Sequence, residues 1–144
     1  MSHSKSRSKP RRSGFSLVEM LIVIALIAVI GTLAIPKIVD YFSGAQASVA
    51  EEFVKSGLKL PLTKYRIDTG SFPSTEDGGL MALLNQPSGM EGKWKGPYID
   101  ELPDDPWGTP YQYKYPGTHN KSGYDFWSFG PDKSPSPEDN IGNW

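Results

Sequence analysis

From Leu17 to Pro36 the chain runs for 20 residues with its apolar character broken only by Glu19, Gly31 and Thr32. As a helix that length spans about 30 Å, the thickness of a bilayer's hydrocarbon core. A removable secretory signal is the competing reading. Its apolar core of about 7–15 residues ends in a small-x-small site, which Thr32-Leu33-Ala34 imitates. The apolar character continues without a loop through Ile35, Ile38, Val39, Tyr41 and Phe42, which favours a retained helix.

Beyond Pro36 the pattern becomes amphipathic. Ile38, Phe42, Val49 and Phe53 recur at spacings of four and seven among Lys37, Asp40, Gln46, Ser48, Glu51 and Glu52. This predicts a helix with that face to pack. Pro36 removes one backbone hydrogen bond, so a kink is expected there. Gly44 and Gly57 weaken the helix, and Pro61 either kinks it again or ends it. Residues 68–74 carry turn chemistry, and 75–85 predict a short helix capped by Ser74 or Thr75. The glycines and prolines of 86–97 admit no regular element, and 102–110 form another turn cluster. Tyr111–Tyr115 alternates aromatic and polar residues as a half-buried strand does. Tyr124–Phe129 is a second strand, joined to the first through 116–123. The tail after Gly130 is rich in Pro, Ser and Asp.

Two or three short strands bury no core alone; the amphipathic helix supplies the missing face. The fold class is therefore α+β: a long N-terminal helix packed on a small antiparallel β-sheet with a C-terminal loop. The expected domains are a basic leader over 1–14, a hydrophobic helix over 15–36 and a globular part over 37–144 that includes the outer half of the helix.

Charge sharpens this division. Lys5, Arg7, Lys9, Arg11 and Arg12 stand in the first thirteen residues without an acid, while acidic residues outnumber basic ones in the remainder. Basic residues directly before an apolar run read as a cytoplasmic flank, not a nucleic-acid arm. The absence of cysteine excludes disulfides and thiolate metal sites. Catalysis finds little support. His119 is the only histidine beyond the leader and lies in a Gly/Asn loop with no obvious base partner. Asp104-Asp105 reads as a cap or solvated turn. Trp94, Trp107, Trp127, Tyr111, Tyr113 and Tyr115 read as the core and rim of the sheet; a carbohydrate platform is the sharper alternative.

Glu19 stands out. An ionised group within a bilayer costs about 2.5–3.5 kcal/mol on insertion scales and is a functional candidate by default. It lies near the amino terminus that a cut after Gly14 would create.

Gly14-Phe15-Ser16-Leu17-Val18-Glu19, behind its basic leader, resembles the processing site of type IV pilins and pseudopilins. The likeness extends through Tyr65–Pro73, Gly78-Gly79-Leu80, Leu102-Pro103-Asp104-Asp105-Pro106-Trp107-Gly108 and Ser128-Phe129-Gly130-Pro131-Asp132. Those segments are similar to the major pseudopilin family of the type II secretion system. The resemblance implies cleavage between Gly14 and Phe15 by a prepilin peptidase and methylation of the new Phe15 amine. It implies polymerisation into a periplasmic fibre, in which Glu19 neutralises that amine. The pair could form within one helix, four residues apart, or with a neighbouring copy. The implied partners are further copies of the chain, minor pseudopilins and an inner-membrane assembly platform. The implied location is a single pass of the bacterial inner membrane, with the globular part in the periplasm. Calcium is also implied, with Asp132, Asp139 and Asn140 as side-chain ligands and carbonyls near Phe129 and Ser134. Asn140 stands where the family usually has Asp, which weakens the site by one charge. The alternatives are another pilin-like subunit, or a membrane-anchored calcium- or glycan-binding module that never polymerises.

Overall fold

A computed structural model describes residues 14–144; residues 1–13, which carry most of the expected leader, lie outside the described residues. The chain divides into two compact units, Met1–Asp40 and Tyr41–Trp144. The helix α1, Leu17–Glu52, begins in the first and ends in the second.

In the first unit, Ser16 caps α1: its hydroxyl accepts the Glu19 backbone N–H at 3.1 Å, satisfying one of the free donors of a helix start. Glu19 in the first turn faces the positive end of the helix dipole. The helix continues through Pro36 without a break. A proline there removes one ladder bond, and the flanking turns hold. The large apolar side chains from Phe15 to Ile35 are between 45% and 79% exposed.

In the second unit a π-helical turn, Phe53–Gly57, follows α1, and α2 runs over Lys59–Thr69. The helical run is thus interrupted at Leu58, just before Pro61. Pro61 itself sits in the first turn of α2, where a missing N–H costs nothing. Gly70 closes α2 at φ 95°, its N–H donating to Arg66 O at 2.8 Å, the left-handed cap that glycine favours.

The buried face of these helices is Ala50, Val54, Leu58, Leu62 and Tyr65, packed with Leu80, Ala82, Leu83 and Phe126. It is not the expected stripe: Phe42 and Val49 stay exposed and Phe53 is half-buried. A π-turn carries more residues per turn than an α-helix, which keeps Ala50, Val54, Leu58 and Leu62, at a constant spacing of four, on one face. The Phe53 ring lies across Gly57, where any Cβ would strike it. Gly57 is thus a packing requirement, not merely a weak point.

Three strands form the sheet: β1 Gln112–Lys114, β2 Asp125–Ser128 and β3 Ile141–Gly142, antiparallel in that order. Tyr113 pairs with Phe126, and Trp127 with Gly142. The two predicted strands appear in shortened form. β3 is too short to carry an alternation signal. The predicted helix over 75–85 is instead a turn followed by a 3-10 segment, Gly79–Leu83, because Gly78 and Gly79 adopt φ 100° and 55°.

Most of the aromatics settle as structural. Trp94 Nε1 donates to Ala82 O at 2.8 Å and Tyr113 OH to Pro73 O at 3.0 Å. Tyr111 clusters with Phe53 and Phe126, its ring tilted against theirs with centroids 4.8 and 5.2 Å away.

Candidate functional site

The N-terminal residues are open to reaction. Gly14, Phe15 and Ser16 precede α1 in non-helical backbone and are exposed, and a Cβ at Gly14 would meet nothing. A protease could reach the Gly14–Phe15 bond without unfolding a helix. Glu19 is also exposed, and among the described residues no cation pairs with it. The helix behind it is long and apolar enough to cross a membrane. A helix apolar on every side needs lipid or other protein around it.

In the second unit, Asp105 is 4% exposed, so of the two expected readings, a cap or a solvated turn, it takes the first. Its Oδ1 accepts the N–H groups of Trp107 (3.1 Å) and Thr109 (2.8 Å), which folds the Asp-Pro-Trp-Gly turn onto itself. Its Oδ2 accepts the Ser128 hydroxyl at 2.5 Å, and Ser128 Oγ in turn accepts Gly130 N–H at 2.9 Å. Gln46 Nε2 of α1 donates to Pro106 O at 3.0 Å. One carboxylate thus connects the turn to β2 and to the root of the C-terminal loop. Asp104, next to it, is exposed.

The C-terminal loop begins at Gly130 (φ 81°), where any Cβ would collide with the Asp139 carbonyl. Its two ends therefore touch, and Phe129, Asp132, Ser134, Asp139 and Asn140 share one short loop. Asp132 Oδ1 accepts Ser134 N–H at 3.1 Å, and Oδ2 accepts the Ser134 hydroxyl at 2.6 Å. That hydroxyl, then the N–H, holds the Asp132 carboxyl below the usual range. Asp132 and Asp139 are exposed, while Asn140 Oδ1 is buried with no hydrogen-bond partner. No group of three or more His, Cys, Asp or Glu gathers among the described residues. The loop thus offers two carboxylates, an orphaned amide oxygen and carbonyls. All are hard oxygen donors of the kind calcium takes.

Sequence reasoning missed Asp125. It is 2% exposed and its carboxylate accepts backbone N–H groups of Thr118 (2.6 Å), His119 (2.9 Å) and Asn120 (2.8 Å), with His119 Nδ1 at 3.3 Å. Burial pushes its pKa up, but the three amides and the imidazole outweigh this and leave it lowered. Gly117 makes the nest possible, because a Cβ there would press on Asn120 O and Asp125 Oδ1. The Gly117 and Gly123 pair was the available signal; read alone, it marks only a loop. On the other face, burial and then the charge of Asp105 push the Tyr111 phenol up to about 12.

Comparison with known proteins places both units. The model of the family described as type II secretion system protein G matches residues 37–144, and that of the prokaryotic N-terminal methylation motif matches residues 9–35. The type II secretion system core protein G of Pectobacterium carotovorum is 39% identical over 99% of this chain and 90% of its own length. That of Pseudomonas aeruginosa is 36% identical over 93% and 96%. A crystal structure of the major pseudopilin from the type 2 secretion system of enterohaemorrhagic Escherichia coli is 35% identical. It aligns with a TM-score of 0.63 over 73% of this chain and 87% of that one.

Proposed function

Since the chain belongs to the type II secretion system protein G family, we propose that it is a major pseudopilin, a structural subunit that polymerises into the pseudopilus. The carrying observation is the uncovered apolar helix behind Gly14-Phe15-Ser16-Leu17-Val18-Glu19, attached to a globular unit with its own core. Lipid covers that helix before assembly and other copies cover it afterwards.

In this reading a prepilin peptidase cuts between Gly14 and Phe15 on the cytoplasmic side, and the new Phe15 amine is methylated. The exposed, uncapped peptide at Gly14 supports the cut. Glu19 then neutralises the ammonium of Phe15. In a low-dielectric fibre neither charge is tolerable alone, so the pair favours the assembled register over others. The chain passes the inner membrane once, its globular unit lies in the periplasm, and it acts without catalysis. Its assembly partners are other copies, minor pseudopilins and the inner-membrane platform.

Calcium belongs to this reading as well. The two carboxylates of Asp132 and Asp139, the orphaned Asn140 oxygen and carbonyls near Phe129 and Ser134 would hold it. The ion would supply the positive charge that lets these oxygens converge, which ties the loop down.

The test is mass spectrometry of the native protein, with a methylated Phe15 as the expected amino terminus. An intact residue 1, or a cut after Ala34, overturns the assignment.

A further inference from the structure

Two faces of the second unit carry opposite charges that the unit does not balance within itself. On one flank of the helices, Lys55 and Lys59 line an open cleft of about 290 Å³ with Asn120, Ser122, Tyr124 and Asn143. Lys121 is exposed between two of those lining residues. Arg66 stands over the Phe72 ring, which in turn meets Tyr124, so it belongs to the same flank. Lys55 is held by Glu51 one turn earlier; Lys59 and Arg66 have no acidic partner among the described residues. Asp125, next to Tyr124, is buried and already spent on the amides of 118–120.

The other face is the loop 100–104. Asp100, Glu101 and Asp104 are exposed and pair with no cation among the described residues. The loop is fastened at both ends. Tyr98 N–H donates to Leu83 O at 2.8 Å and its hydroxyl to Asp68 at 3.0 Å, while Asp104 bridges Pro110. A loop held in this way loses little freedom on binding. Of the other acidic segments, Glu76 shares a cleft with Lys114, and Asp132 and Asp139 are the proposed calcium ligands.

The two faces lie at opposite edges of the sheet. Leu102 of the acidic loop shares a cleft with Tyr113 of β1, whereas Asn143 of the basic cleft directly follows β3; β1 and β3 are the outer strands. Each face also has an exposed apolar neighbour: Leu60, 71% exposed, follows Lys59, and Met81, 51% exposed, lines the cleft with Leu102. Apolar contact with a charged rim is the ordinary composition of an interface between chains. Complementary surfaces at opposite edges join copies head to tail, and such a contact builds a filament when its rotation does not close.

We propose that the flank of Lys55, Lys59 and Arg66 receives the loop 100–104 of a second copy, with Lys59 against Asp100 and Glu101. This rests on the polymer reading and assigns the contact between globular units within it. Charge pairs of this kind select the partner and its register more than they add affinity.

The experiment expresses the full chain with its processing peptidase and the other secretion components, and compares sheared fibre with total chain. Lys59→Glu and Glu101→Lys should each lower fibre yield by about tenfold, because like charges then face each other at every contact. The doubly reversed variant should recover most of the yield. Both side chains are exposed, so all variants should melt with the parent. The chain has no cysteine, so Lys59→Cys with Glu101→Cys reports position directly. A short bismaleimide should link that variant's fibre into a ladder of multimers and leave each single-cysteine variant monomeric. If the parent forms no fibre, the polymer reading itself fails. If the parent does, the interface alone is overturned by parental yield in both reversals, by a double reversal that recovers nothing, or by fibre without a ladder. Loss in Lys59→Glu with parental yield in Glu101→Lys also overturns it, and marks the flank as a site for anionic lipid.

Discussion

Ser128 and Asp105, separated by 23 positions in the chain, meet in the interior through a hydrogen bond of 2.5 Å from hydroxyl to carboxylate. Both are buried, and between them they fix the Asp-Pro-Trp-Gly turn, β2 and the start of the C-terminal loop. Asp105→Ala would leave the Trp107 and Thr109 amides and the Ser128 hydroxyl unpaired. The Ser128 contact is buried and the two amides are half-buried, so a loss of about 2–3 kcal/mol is expected in denaturant unfolding. Ser128→Ala should lose less, about 1–2 kcal/mol. Equal midpoints for Asp105→Ala and the parent would remove this account.

Asp125 gives the fold a defined acid limit. Its folded pKa lies below the ordinary 3.8, so in that window the unfolded chain binds more protons and stability rises with pH. The contribution is present above the ordinary value and is lost as pH falls through the folded one. Asp125→Asn should lower stability at neutral pH by about 2–3 kcal/mol, since charged acceptors are the stronger ones. Between pH 4 and 2 its stability should fall less steeply than the parent's; parallel curves would assign the acid limit elsewhere. On the alkaline side the sign reverses. Tyr111, raised to about 12, keeps its proton in the folded state after the unfolded chain has lost it. Stability should therefore decline above pH 10, less so in Tyr111→Phe.

Gly57 can be tested by the smallest possible change. Gly57→Ala normally strengthens a helix, but here the added methyl meets the Phe53 ring. Overpacking of this kind costs about 1–3 kcal/mol, so the variant should melt lower than the parent. Phe53→Leu in the same background should recover part of the loss.

Calcium should raise the melting temperature of the mature chain above its value in chelator, because an ion that binds only the native state stabilises it. Asp132→Ala or Asp139→Ala should remove most of that shift. Asn140→Asp, which adds a charge, should enlarge it at equal calcium. No shift at millimolar calcium would sink the metal reading.

Glu19→Ala should abolish fibre assembly while the melting temperature of the globular unit stays unchanged, since Glu19 lies outside that unit. Assembly by the variant at parental levels would mean that the carboxylate does not set the register.

Much of this protein is written locally in the chain. The apolar run behind Glu19 is a matter of composition, so its helix, its length and its need for lipid or other copies follow without coordinates. The two strands at 111–115 and 124–129 were legible through their period of two. What tertiary structure decided is which groups meet. The buried stripe is Ala50, Val54, Leu58 and Leu62, not Phe42 and Val49, because three short strands cover only a narrow band of the helix and the π-turn holds a spacing of four on that band. Asp105 and Asp125 read as loop polarity in sequence, and became buried centres only when Ser128 and the amides of 118–120 reached them. β3, two residues long, exists because β2 offers an edge to pair with. Local periodicity records the face a segment prefers, whereas burial of a charge depends on partners far along the chain that no local pattern encodes.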